Sequence, residues 1–212
     1  DGVALANSNG VFFGTGITTG QPDEYVDGYT NGIKSINFDG SSNYIQVPNA
    51  ISPSHSTAGN LTLSVWFNAD KTGGTFDDML VTKMKGEFEL KLMSESDTLS
   101  YFSFYQGNST NSGYTNYKSS QLKVSSGVWN NVTVTREGSG TSWTIKFYFN
   151  GQLLSIPTVK YSYGSFALGT VNTPQQTNNL IYIGNNEANN YFFDGKMSDI
   201  RIYNTPLIAE QI

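Results

Sequence analysis

Apolar and polar residues alternate with a period of two along much of this chain, the signature of strands that bury one face. In Leu61 to Asn68 the residues Leu61, Leu63, Val65 and Phe67 share one face, and Thr62, Ser64, Trp66 and Asn68 share the other. Phe88, Leu90 and Leu92 alternate in the same way with Glu87, Glu89 and Lys91. Further strands are predicted over residues 35–38, 44–47, 79–83, 99–105, 129–135, 141–149 and 180–184, with an edge strand at Val11 to Phe13. Asp39-Gly40 and Asn150-Gly151 are hairpin signals, and Gly138 to Gly140 mark another turn. Residues 14–33, 49–60, 69–78, 106–120 and 155–179 read as loops, the last with a strand or helical turn near 161–168. The chain closes on a turn, a strand, a second turn and a short helical tail between Phe192 and Ile212. Many short strands and almost no helix predict an all-β sandwich or barrel.

Composition agrees with that pattern. Charged residues are 14% of the 212, against roughly 25% in an average domain. Asn, Ser, Thr, Tyr and Gly carry the polarity instead, which suits turns and pleated surfaces. No Pro/Ser-rich linker and no internal repeat divides the chain, so one domain is expected over residues 1–212. The net charge is −5, and the twelve Lys and Arg form no run, which argues against a nucleic-acid partner. The lack of cysteine excludes a disulfide scaffold and a thiolate metal site. No apolar run approaches the ~18 residues of a membrane-spanning helix. Asp1-Gly2 reads as the start of a fragment, so neighbouring domains of a larger chain are expected.

Six pieces in order resemble one known family. They are SINFDGSSNYIQVPN (35–49), LTLSVWFNAD (61–70), VWNNVTVTRE (128–137), KFYFNGQLL (146–154), LIYIGN (180–185) and FFDGKMSDIRIYNTPLIAEQI (192–212). Together they resemble the laminin-G-like jelly roll of the concanavalin A-like lectin/glucanase superfamily. The resemblance implies a two-sheet antiparallel jelly-roll sandwich, carbohydrate or protein binding, and an extracellular, cell-surface or virion-surface setting. It also implies a structural Ca2+ ion. The family's paired Asp in the closing strand is Ser198-Asp199 here, and its N-terminal Asp-led turn is Asn7-Ser8-Asn9-Gly10. The corresponding calcium ligands are Asn7, Asn9 and Asp199, with backbone carbonyls completing the shell. The competing role for Asp199 is an ion pair with Arg201.

Catalysis has a thinner basis. Glu87 and Glu89 stand two residues apart on one strand, about 6.5–7 Å, a separation within reach of two-carboxylate hydrolysis. The E-x-D-x-x-E pattern of laminarinase-type relatives is absent, and Lys91 stands where a third acid is expected. His55, the single histidine, sits in a polar loop, and Asp77-Asp78 reads as a soluble turn or a cation contact. Gly14-Thr15-Gly16 precedes no helix pattern and makes no phosphate loop.

Carbohydrate recognition needs flat aromatic faces and convergent amides and hydroxyls. Trp66, Trp129 and Trp143 are expected in the core. The candidate ligand contacts are Tyr101 and Tyr105 with Asn108, Asn111, Tyr114 and Tyr117 of the polar loop, and the amide-rich stretch 172–190 supplies a second rim. The expectation is a non-catalytic carbohydrate-binding or adhesion module for a glycan on a cell or matrix surface. The alternatives are a spacer or protein-interaction domain and a glycan-cleaving enzyme using Glu87 and Glu89.

Overall fold

The structure is a computed structural model, which describes residues 3–4, 11–13, 25–47, 58–70, 76–83, 87–96, 99–107, 113–156, 161–164, 174, 176–177, 179–186 and 190–212. Asn7, Asn9, Gly14-Thr15-Gly16, His55, Asn108 and Asn111 lie outside the described residues.

Its strands in chain order are β1 (Val3–Ala4), β2 (Val11–Phe13), β3 (Tyr25–Asp27), β4 (Lys34–Asp39), β5 (Tyr44–Val47), β6 (Leu61–Ala69), β7 (Phe76–Lys83) and β8 (Phe88–Ser96). They continue with β9 (Leu99–Gly107), β10 (Gly113–Lys118), β11 (Trp129–Ser139), β12 (Ser142–Phe149), β13 (Gln152–Ser155), β14 (Tyr161–Gly164), β15 (Ile181–Ile183) and β16 (Asp194–Tyr203). One 3-10 turn, Ala209–Gln211, forms the tail.

Sheet A runs β13-β12-β11-β6-β16-β4-β3, with β1 also on β16, and sheet B runs β14-β10-β9-β8-β7-β15-β5-β2. Every strand pair is antiparallel, as the expected two-sheet jelly-roll sandwich requires. Among the described residues no helix is long and apolar enough to cross a membrane.

The period-2 residues meet between the sheets. Leu61, Leu63, Val65 and Phe67 of β6 pack with Val132 and Val134 of β11 against Leu90, Leu92, Phe102 and Phe104 of sheet B. Phe67 is the hinge of this aromatic core, edge-on to Phe102 at 6.0 Å and to Phe193 at 6.5 Å. Each such ring removes 150–250 Å2 or so of apolar surface from water, which is why aromatics dominate the core energetics.

Several segments predicted as loops are strands, Tyr25–Asp27 of β3 among them. Asp77-Asp78 belongs to β7, where the backbone pairs Asp77 with Met93 and Asp78 with Leu92. Asp78 is 4% exposed, so the pair is no solvated turn. Residues 113–118, inside the predicted polar loop, form β10 and pair with β9 and β14. Backbone pairing, with β8 for Asp77-Asp78 and with β9 and β14 for residues 113–118, overrides the weak local signal at each place.

The closing strand β16 sits inside sheet A, between β6 and β4. Its pairing with β6 shifts register between Ser198 and Arg201. Asp199 occupies that bulge with φ of 44°, a conformation rare outside glycine.

Candidate functional site

The outer face of sheet A carries a groove of about 400 Å3. The pleat that buries Leu63, Val65 and Val132 turns Ser64, Trp66, Asn131 and Thr133 outward, and register sets them side by side. Asn131 stands opposite Trp66, and Thr133 opposite Ser64. On the other flank of β6, Ser64 faces Arg201.

The floor is a hydrogen-bonded ring. Asn131 Nδ2 donates to Ser64 Oγ at 3.1 Å, Thr133 Oγ1 donates to Asn131 Oδ1 at 3.0 Å, and the Ser64 and Thr133 hydroxyls lie 3.2 Å apart. A hydroxyl carries one proton. With Thr133 donating to Asn131, Ser64 donates to Thr133 and the ring closes.

Trp66 and Trp129 wall one end, both half-buried. This departs from the expectation that they are core residues. The indoles sit on the polar face of their strands, and a second layer covers them only in part. Tyr29 stacks on Trp66 with ring centroids 4.2 Å apart and meets Trp129 edge-on at 6.4 Å. Trp143 is also half-buried, outside the groove, and its Nε1 donates to the Gly140 carbonyl at 2.8 Å.

Leu207, Gln211 and Ile212 of the tail close the opposite end. Thr62 anchors that tail by donating to the Thr205 carbonyl at 2.8 Å and accepting from the Leu207 N–H at 2.9 Å. The Asn150 side wall is tied to β11, because Asn150 Oδ1 accepts from the Asn131 N–H at 2.8 Å.

The charged side wall is Asp199 and Arg201. The guanidinium donates to both carboxylate oxygens, Nε to Oδ1 at 2.6 Å and Nη2 to Oδ2 at 2.8 Å, and the Tyr29 hydroxyl donates to Oδ2 at 3.0 Å. Hydrogen bonding to Asp199, and then to Tyr203, raises the Arg201 pKa. Burial, followed by the bond to Asp199, raises that of the Tyr29 phenol. Both Asp199 oxygens are therefore committed, and an arginine cation sits against them. The Asp199 environment does not fit a calcium ion, and the other two predicted ligands lie outside the described residues.

The predicted tyrosine cluster does not form one open cleft. Tyr117 points into the core at 1% exposure, opposite Phe104 in the register of β9 and β10. Burial pushes its pKa up to about 12. Tyr101 is 6% exposed and accepts a hydrogen bond from Lys118 Nζ at 3.0 Å. Tyr105 and Tyr114 are half-buried on the outer face of sheet B and meet edge-on at 6.5 Å. Lys91 Nζ lies 5.3 Å from the Tyr105 ring and 3.8 Å from the Tyr191 ring.

Glu87 and Glu89 have different surroundings. The Glu87 side chain is 0% exposed and pairs with Lys83 Nζ at 2.8 Å, and the backbone N–H and hydroxyl of Thr177 both donate to its Oε1. Arg136 reaches across from sheet A, donating Nη1 to the Glu87 carbonyl at 3.1 Å and Nε to the Gly59 carbonyl at 2.9 Å. Burial lowers the Arg136 pKa to about 9, against the pull of Glu87. Burial raises the Glu89 pKa, against the pull of Lys91 at 3.9 Å. A carboxylate sealed inside an ion pair cannot reach a glycosidic bond, so these two residues form no open hydrolytic pair.

A family model for the concanavalin A-like lectin/glucanases superfamily matches residues 39–212. A search of curated proteins finds no match to the chain. Among solved structures, the binding domain of Paraclostridial Mosquitocidal Protein 1 matches at 16% identity over 98% of this chain and 47% of that one, with a TM-score of 0.61. The binding domain of botulinum neurotoxin DC, in complex with rat synaptotagmin II, matches at 10% identity over 96% and 45%, with a TM-score of 0.59. A structure reported with the dependence of botulinum neurotoxin type C cell entry on two ganglioside molecules matches at 14% identity over 88% and 43%, with a TM-score of 0.56. The chain spans less than half the length of each of these structures. At these identities the likeness is one of fold.

Proposed function

This chain belongs to the concanavalin A-like lectin/glucanase superfamily, and from that premise we propose that it is a non-catalytic carbohydrate-binding module whose ligand sits in the groove on sheet A. The observation that carries the reading is the pairing of the Trp66 and Trp129 indoles with a floor of Ser64, Asn131 and Thr133 inside about 400 Å3. Indole faces take the apolar side of a sugar ring, and amides and hydroxyls take its hydroxyl groups. The volume falls within the range of about 300–1,000 Å3 for small-molecule sites.

The same chemistry favours sheet A over sheet B for the ligand. Tyr105 and Tyr114 meet edge-on, whereas Trp66 and Trp129, though Tyr29 covers part of the Trp66 indole, both line the groove. The sealed state of Glu87 supports binding without cleavage. A glycan on a cell or matrix surface is the expected partner, which places the module outside the cell or on a cell or virion surface. The gangliosides and the synaptotagmin II named with the toxin structures belong to proteins of which this chain spans less than half, and are not carried over.

A glycan array followed by titration of the hits tests the reading. Trp129→Ala is expected to weaken binding of a hit by at least about tenfold, equivalent to 1.4 kcal/mol, with the fold intact by circular dichroism. Binding unaffected by Trp129→Ala would remove sheet A as the site.

A further inference from the structure

We infer that the groove on sheet A selects neutral glycans and rejects those carrying sialic acid, uronic acid or sulfate, an inference that rests on the carbohydrate reading above.

Asp199 and Arg201 are the only charged side chains among the groove's described lining residues. They neutralise each other through a two-point fork at 2.6 and 2.8 Å, the strongest hydrogen-bond arrangement a carboxylate and a guanidinium can make. Tyr29 donates a further bond to Asp199 at 3.0 Å. The pair is built into the backbone, because Asp199 reaches Arg201 from the bulge of β16 with φ of 44°. The fork uses two of the five N–H donors of the guanidinium. A ligand carboxylate or sulfate that reached the others would lie beside the Asp199 charge and meet a cation already neutralised, which opposes binding.

The remaining polar side chains of the lining are neutral. Asn150 and Gln211 each carry an acceptor oxygen and an NH2 donor, while Ser64 and Thr133, whose protons are held in the floor ring, offer lone pairs that accept from a ligand. Gln211 Oε1 accepts from the Ile208 N–H at 3.1 Å, and its NH2 adds a donor to the lining. Sugar hydroxyls both donate and accept, and so match this set, whereas a carboxylate or sulfate can only accept. The chain's net charge of −5 adds a weak long-range bias in the same direction.

The test titrates the intact chain with matched pairs of oligosaccharides, each neutral core beside the same core bearing sialic acid, a uronic acid or sulfate. The neutral member is expected to bind at least about tenfold more tightly than its acidic counterpart. Its Kd is expected to change by less than about twofold between roughly 50 and 500 mM NaCl, since no net charge is exchanged with the groove. Asp199→Asn, which frees Arg201, is expected to narrow the preference. If that variant fails to fold, the matched-pair titration of the unmodified chain still decides. Acidic members that bind as well or better, and lose binding in Trp129→Ala, would overturn neutral selection and leave the carbohydrate reading standing. No binding to any glycan, or binding indifferent to Trp129→Ala, would overturn the carbohydrate reading of this groove and this inference with it.

Discussion

Tyr29 lies flat on Trp66, with ring centroids 4.2 Å apart and planes within 3° of parallel. The tyrosine comes from the turn between β3 and β4 and the tryptophan from β6, which are not neighbours in sheet A. The stack covers part of an indole that the pleat would leave open. It also aims the phenol at Asp199, so one side chain braces both the aromatic wall and the charged wall of the groove.

That double role can be separated by substitution. Tyr29→Phe keeps the stack and removes the bond to Asp199, and should cost about 0.5–1.5 kcal/mol in urea unfolding. Tyr29→Ala should cost more, by the roughly 0.5–1.5 kcal/mol that an aromatic pair contributes beyond its area, and should red-shift tryptophan emission. Equal losses in the two variants would mean that the stack contributes nothing.

Asp199 serves Arg201 and Tyr29. Asp199→Asn should therefore lower Tm by the same amount in millimolar calcium as in EDTA. A drop confined to the calcium sample would assign the carboxylate to a metal.

Glu87 is a structural anion. Glu87→Gln leaves the buried Lys83 ammonium without its carboxylate, and breaking a buried pair from one side costs about 3–5 kcal/mol. Glu89→Gln should cost far less, because that side chain is not sealed and its lysine stands off at 3.9 Å. Denaturant melts of both variants check the order. A Glu87→Gln protein of unchanged stability would contradict it.

Gly195 holds the closing strand against β6. Its φ is 135°, and an added Cβ would overlap the Asn68 carbonyl oxygen, which belongs to backbone and cannot swing away. Gly32 has φ of 81° with open space around its Cβ direction. Gly195→Ala should therefore lower Tm well beyond Gly32→Ala, which carries only the backbone strain of about 1 kcal/mol.

Asp39 sets an acid limb. Burial works to raise its pKa, but hydrogen bonds from the Ser42 hydroxyl and the backbone N–H groups of Ser42, Ser41 and Asn43 outweigh it and bring the pKa below the usual carboxylate range. A pKa lower in the folded chain than in the unfolded one gives stability that is present above the unfolded value and lost as pH falls through the folded value. Asp39→Asn should be less stable than the unmodified chain at pH 7, and the gap should close below about pH 4. A gap constant down to pH 2 would rule the linkage out.

Much of the fold was legible because strand periodicity is a local property. The alternation in Leu61 to Asn68 names the inward residues of β6, and the same alternation puts Trp66 on the outer face with Ser64. Expecting Trp66 in the core weighed the family's habit of a packed tryptophan in this strand over its position in the pattern, so the signal for the groove wall was present and outvoted. Tyr117 failed in the other direction. It sits in the polar run GYTNYK, whose pattern does not show which side faces in, and only pairing with Phe104 turns it to the core.

By itself the sequence determined most of the strand segments, the Asp39-Gly40 and Asn150-Gly151 turns and the two-sheet architecture. These depend on residues close to one another along the chain, or on a family pattern written in order. The tertiary structure alone decided the groove. Its floor joins β6 to β11, its charged wall comes from a bulge on β16, its aromatic wall is braced by Tyr29 from before β4, and its end is the tail. Contacts between residues as far as 170 apart along the chain follow from sheet order and register, which no local pattern specifies.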